Sequence, residues 1–134
     1  MDKTTVMAYF SIYGDSFDIE GISQRLCLKP DDVRVKGLVP LGRKRPSIET
    51  SWKISTEDEE SYDINVQLDK LIALLKDKKS ELQNIKNTYG VNFIFVFVVK
   101  IENGEKPGMR FDVEKIKFIS DINAEIDIDL YIYS

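Results

Sequence analysis

Histidine is absent from this chain of 134 residues. That removes the side chain most often used as a general base near neutral pH, and the commonest zinc ligand with it. Cysteine occurs once, as Cys27, so no internal disulfide can form and a reducing compartment suits the chain. Apolar runs are short, and none approaches the ~20 residues that a membrane-spanning helix needs. The opening Met1-Asp2-Lys3-Thr4-Thr5 has no cationic stretch leading into an apolar one. No signal peptide is expected, and the expected location is the cytoplasm. There is no phosphate-cradling glycine loop, no nucleophile elbow and no paired acid–base arrangement, so no catalytic residue and no cofactor is assigned. The length fits one domain, residues 1–134, able to bury roughly two-thirds of its unfolded surface. The net charge of -4 disfavours non-specific contact with nucleic acid or anionic lipid, which leaves a local basic patch as the one route to either.

What the chain does have is one dominant apolar run, Val91 to Ile101, rich in β-branched and aromatic residues and uncharged before Lys100. That composition predicts a strand. It does not alternate, so both of its faces need cover and its place is inside a sheet. The face carrying Phe93, Phe95 and Phe97 is expected to lack a helix layer. A subunit contact, giving a homo-oligomer, or a folded-over loop would close it.

The other elements follow in order. Val6 to Tyr13 alternates, with Val6, Ala8, Phe10 and Ile12 on one side and Met7, Tyr9, Ser11 and Tyr13 on the other. Gly14-Asp15-Ser16 is a turn signal. Asp18 suits a helix N-cap, with Glu20 in the first turn and Phe17 and Ile22 spaced as a hydrophobic staple. That helix ends near Leu26 or Cys27, before Lys29-Pro30. Val33 to Lys36 is a short strand and Leu38 to Ser47 an exposed loop. Ile48 to Ser55 is a strand that buries Ile48, Thr50, Trp52 and Ile54. Thr56 to Ser61 is a loop. Ile64, Leu68, Leu71 and Leu75, then Leu82, Ile85 and Tyr89, have helical spacing, interrupted at Lys76 to Ser80 and stopped by Gly90. Glu102-Asn103-Gly104-Glu105 is a hairpin-type turn. Phe111-Asp112-Val113-Glu114 repeats the Phe17-Asp18-Ile19-Glu20 helix start. Two related strand-helix-strand units, or a good helix start that arose twice, both account for that. Ala124 to Tyr133 alternates strictly. The fold class is therefore α+β: a single two-layer domain, mostly antiparallel sheet with helices packed on one face.

The outward sides of the strands carry Tyr9, Tyr13, Tyr131 and Tyr133 beside Asp127 and Asp129, with Glu125 and, on the middle strands, Arg34, Lys36, Glu49 and Lys53. Tyrosine among mixed charges suits contact with another protein; an ordinary solvated face with charges paired across strands gives the same pattern. Glu125, Asp127 and Asp129 lie along one side of one strand at steps of about 6–7 Å. With no wrapping loop to complete a cation shell, they read as protection of a sheet edge and not as a metal site. Arg43-Lys44-Arg45 is the basic cluster, suited to phosphate or an acidic partner, or simply solvated. Trp52 and Cys27 read as structural.

The order of these motifs resembles a bacterial family known as domain-of-unknown-function family 4279, over nearly the whole chain. The resemblance rests on a first strand running into Gly14-Asp15, Phe17-Asp18-Ile19-Glu20 opening a helix, Leu28-Lys29-Pro30 before a short strand, Lys36-Gly37, Trp52, and Asp129-Leu130-Tyr131. That family has no established activity, so the resemblance assigns no catalytic residue. Some small acidic bacterial proteins of this kind look like immunity proteins that neutralise toxins. Two functions are expected to compete. One is a protein-binding module, immunity-like or regulatory, acting through Tyr9, Tyr13, Asp127, Asp129, Tyr131 and Tyr133 toward an unidentified protein partner. The other is a small-ligand binder or enzyme with a cleft near Gly14-Asp15 and the basic loop, anchored by Asp15, Arg43, Lys44 and Arg45.

Overall fold

The computed structural model describes residues 2–134. Thr5–Gly14 form β1, and Asp18 caps the helix α1, Ile19–Leu26, by accepting from the Gly21 N–H at 3.0 Å. The helix closes on Cys27 in a left-handed conformation (φ 54°). Asp32–Arg34 form β2 and Thr50–Ser55 form β3. Glu59–Glu60 make a two-residue strand, β4, against the start of β1, where a plain loop was expected. Asn65–Leu75 (α2) and Lys79–Tyr89 (α3) are two helices joined by a 3-10 turn at Lys76–Lys78, the segment without apolar residues. Gly90 ends α3 at φ 66°, a conformation that costs glycine least. Asn92–Ile101 is β5, Val113–Asp121 is α4, and Ala124–Ile132 is β6. Among the described residues no helix is long and apolar enough to cross a membrane.

The sheet runs β2-β3-β1-β5-β6, antiparallel except where β5 and β6 lie parallel, and helices pack on one face. The α+β architecture is as the alternation predicts. Both halves contain a strand, a helix and a parallel strand, and Asp112 caps α4 through the Lys115 N–H as Asp18 caps α1. In the second half the two strands are neighbours, whereas in the first β3 lies between them.

The phenylalanine face lies opposite to expectation. Phe93, Phe95 and Phe97 are fully buried, in one core with Val6, Phe10 and Trp52 and the apolar stripes of α1 to α4. Phe10 stands directly opposite Phe95 in the β1–β5 register, and their rings are 4.9 Å apart. A homo-oligomer through Phe93, Phe95 and Phe97 has no surface to use. The face of β5 turned away from the helices carries Ile94, Val96 and Val98 instead.

Three smaller expectations also change. Ile48 is exposed, because the loop keeps the chain out of the sheet until Thr50: the Ser47 N–H is spent on the Leu38 carbonyl. Asn103 and Gly104 both take positive φ, as an Asn-Gly turn of the primed type requires, but no strand follows them to complete a hairpin. The apolar side of β6 is only partly covered: Ala124 and Ile128 pack against the core, while Ile126, Leu130 and Ile132 are exposed. A nine-residue strand spans roughly 30 Å and a nine-residue helix roughly 14 Å, so α4 cannot roof it.

Helices α3 and α4 are tied together by Asp121, which receives the Lys79 ammonium at 2.6 Å and that of Lys117 at 3.1 Å. Lys79, then Lys117, hold this carboxyl below its ordinary value of 3.8. A depressed carboxyl contributes stability above its unfolded pKa and loses it as pH falls through the folded value. Asp121→Asn should therefore destabilise at neutral pH and make no difference once the pH is well below 3.8. Urea unfolding at the two pH values checks this; equal losses at both would remove charge from the account.

Candidate functional site

Among the described residues, no second layer of strands or helices covers the face of the sheet away from the core. Alternation in β1 turns Met7, Tyr9, Ser11 and Tyr13 to that side. The registers carry the pattern outward: Ser11 stands beside Lys53 on β3 and Ile94 on β5, then Ile94, Val96 and Val98 beside Glu125, Asp127 and Asp129, and Lys100 beside Tyr131. Tyr9 and Tyr13 thus sit one strand away from the acidic row, with the β5 aliphatics between. Tyr133 lies just past β6, and its N–H still donates to the Ile101 carbonyl.

Side chains themselves roof the middle of this face. The Tyr13 hydroxyl reaches over β5 to donate to Glu125 Oε1 at 2.6 Å. The Lys53 ammonium sits 4.8 Å from the centre of the Tyr9 ring. Long amphipathic chains laid flat in this way keep Val96 at 6% exposure and bury Ser11 and Ser51.

The acidic row is not neutralised. Among the described residues none of Glu125, Asp127 and Asp129 forms an ion pair. Lys100, on the neighbouring strand, is taken by Asp58 at 3.1 Å. The field of the row shows in the tyrosines around it. Burial, then the charges of Asp127 and Asp129, push the Tyr9 phenol up. Tyr131 donates to Asp129 Oδ2 at 3.1 Å, and that bond raises its pKa. Burial, then the Arg34 charge, lower the Lys53 ammonium. Three carboxylates in file along a strand, unlike three around a point, do not converge on an ion. Among the described residues no group of three or more acidic or cysteine side chains could hold a metal.

Tyr13 gives the sharpest readout of this face. Its bond to the Glu125 carboxylate, followed by burial, pushes the phenol up to about 12. The phenol form is thus favoured in the fold, and its contribution is complete below the ordinary value of 10.0 and lost as pH rises through about 12. In an absorbance titration one tyrosine should ionise near the top of the range. Tyr13→Phe should delete that step, and Glu125→Gln should move it down toward 10.0. An unchanged profile in Glu125→Gln would show that the bond does not form in solution.

The residues expected to line a cleft are not gathered in one place. Asp15 gives its carboxylate to Lys36 and its carbonyl to the Thr50 hydroxyl. Arg43, Lys44 and Arg45 are exposed and line a shallow depression of about 460 Å³ with Arg34 and Ile48, a lining that does not include Asp15. Arg34 holds Asp32 at 3.2 Å. Sequence reasoning missed the Tyr13–Glu125 bond, which depends on a strand order that no local pattern encodes. It also missed the open aliphatic side of β6.

No curated protein and no solved structure matches the chain. The family described as Domain of unknown function (DUF4279) matches residues 3–133, which takes in every strand and helix of the fold and the whole of the open face. The chain belongs to the DUF4279 family.

Proposed function

We propose that this chain works by contact, as a protein-binding module whose open sheet face meets a partner of positive charge. The observation that carries the reading is the row Glu125, Asp127 and Asp129, without an ion-pair partner among the described residues and bordered by Tyr9, Tyr13 and Tyr131 on the open face. Carboxylates held in file without counter-charges steer and orient a basic partner. Tyrosine supplies broad contact area for little lost conformational freedom. An immunity-type or regulatory role requires no more than such a stoichiometric contact, and the family resemblance is what suggests it.

A photo-cross-linking residue placed at Tyr9 or Tyr131 in the native host tests this, with exposed Leu74 on the helix side as control. Both face positions should capture one and the same protein, less so as salt rises, and Leu74 should not. Capture from Leu74 alone, or nothing specific from the face, would remove the reading.

A second reading rests on the depression beside Arg43, Lys44 and Arg45, where three cations stand without ion-pair partners among the described residues. It takes a small anion. Titration with inorganic phosphate should perturb those residues, and an Arg43→Ala, Arg45→Ala variant should abolish the response.

A further inference from the structure

β6 is an edge strand with an unfinished side. Its nine residues pair with β5 without a break, so no bulge turns it away, and the sequence from Ala124 to Ile132 contains no proline, glycine or lysine. Among the described residues, no strand pairs with the outer N–H and C=O groups of β6. Such an edge is a template for another strand unless something guards it. On the helix side, Ile126, Leu130 and Ile132 are 40%, 46% and 69% exposed, and Ile116 of α4 is 50% exposed. A groove of about 390 Å³ runs between Ile116 and Ile126. A strictly alternating strand normally has its apolar side covered, and here Ala124 and Ile128 pack against the core while the other three residues of that side do not.

Charge decides what can supply it. A second copy of β6, laid antiparallel against the first, would set two rows of Glu125, Asp127 and Asp129 side by side, and like charges across strands destabilise the pair. The far edge of the sheet reads Val33-Arg34-Val35-Lys36, which has a suitable alternation. Its cations are already engaged, however: Arg34 holds Asp32, Lys36 holds Asp15, and β2 is only three residues long. The acidic row therefore rejects this chain's own edges and leaves an acceptor for a strand with the opposite pattern.

We propose that β6 receives an extended segment of a partner protein in which lysine or arginine alternates with aliphatic residues, added to the sheet as one more strand. Main-chain hydrogen bonds hold the segment, its cations face Asp127 and Asp129, and its aliphatic side closes over Ile126, Leu130 and Ile132. The proposal rests on the protein-binding reading of the open face and adds to it the edge and the pattern of the partner.

The probe is a synthetic peptide alternating valine with lysine, matched to the length of β6, added to isotope-labelled full-length protein. The outer amides of β6 should become protected from hydrogen exchange, the methyl signals of Ile126 and Leu130 should shift, and binding should weaken with salt. A glutamate version of the peptide, and a version N-methylated at alternate residues, should each bind at least roughly tenfold more weakly. Ile126→Lys with Leu130→Lys should weaken the original peptide by a similar factor. Equal binding of the N-methylated peptide, or protection confined to other strands, would overturn strand addition. Shifts confined to Tyr9, Lys53 and Val96 would overturn it as well, while leaving the open face as a binding surface. Concentration-dependent dimers whose β6 amides are protected without peptide would give the edge to a second copy and overturn the proposal. No peptide response while face-directed cross-linking still captures a partner would refute the edge and spare the broader reading.

Discussion

Phe95→Ala should lower the free energy of unfolding by about 3–5 kcal/mol, the range for emptying a buried aromatic site. Phe95 is fully buried, directly opposite Phe10 in the register with the rings 4.9 Å apart, so the change removes both apolar burial and a ring–ring contact. A domain of this size holds about 5–15 kcal/mol in all, so a fifth or more of it is at stake. The melting temperature should fall on the order of 10–20 °C. Val96→Ala, one residue along on the open side, should cost less than half as much, because fewer atoms are removed and that face can relax into solvent. Thermal and urea unfolding of the two variants checks the order. A larger loss at Val96 would mean that the two faces of β5 have been exchanged.

That test bears on the one structural point at which composition misleads. In β5 both parities are apolar, so the strand contains no signal for which face meets the helices. The information lies in its neighbour. β1 alternates cleanly, and once Phe10 is assigned inward its register partner Phe95 must follow, because residues directly opposite one another share a face. Elements whose chemistry is local were readable: the Asp18 and Asp112 caps, Gly90 at the end of α3, and the break between α2 and α3. Elements that depend on competition between segments were not. Ile48 has the right parity for β3, but the Ser47 N–H is already committed to the loop.

The candidate face shows the same division. Alternation in β1 and β6 places Tyr9, Tyr13, Asp127, Asp129 and Tyr131 on one side of the sheet. It does not reveal that β5 separates them, that Tyr13 bridges the gap to Glu125, or that Lys100 turns to Asp58 and leaves the row bare. For β6, alternation says which side is apolar, while the lengths of α4 and β6 say how much of it can be covered. The lengths are in the sequence too, and they limit how much of that side is covered without saying which residues are.

The second large effect concerns the row itself. Asp127→Lys with Asp129→Lys should reduce association with the cross-linked partner by roughly a hundredfold or more, since two attractions become two repulsions and like charges brought together at an interface cost several kcal/mol. Most of the loss should fall in the association rate, and the salt dependence should reverse, so that binding improves as screening increases. The fold should be nearly indifferent: neither side chain is buried or ion-paired among the described residues, so the stability change should stay within about 0.5 kcal/mol. The Tyr9 phenol, now without the field that holds it up beyond its burial, should ionise at lower pH, which reports on the row in the free protein. Asp127→Asn with Asp129→Asn keeps the shape and removes the charge, and should fall between parent and reversal. If the reversal variant captures the partner as well as the parent does while its Tyr9 titration has moved, the field is real but the partner does not use it, and the open face loses its claim as the binding surface.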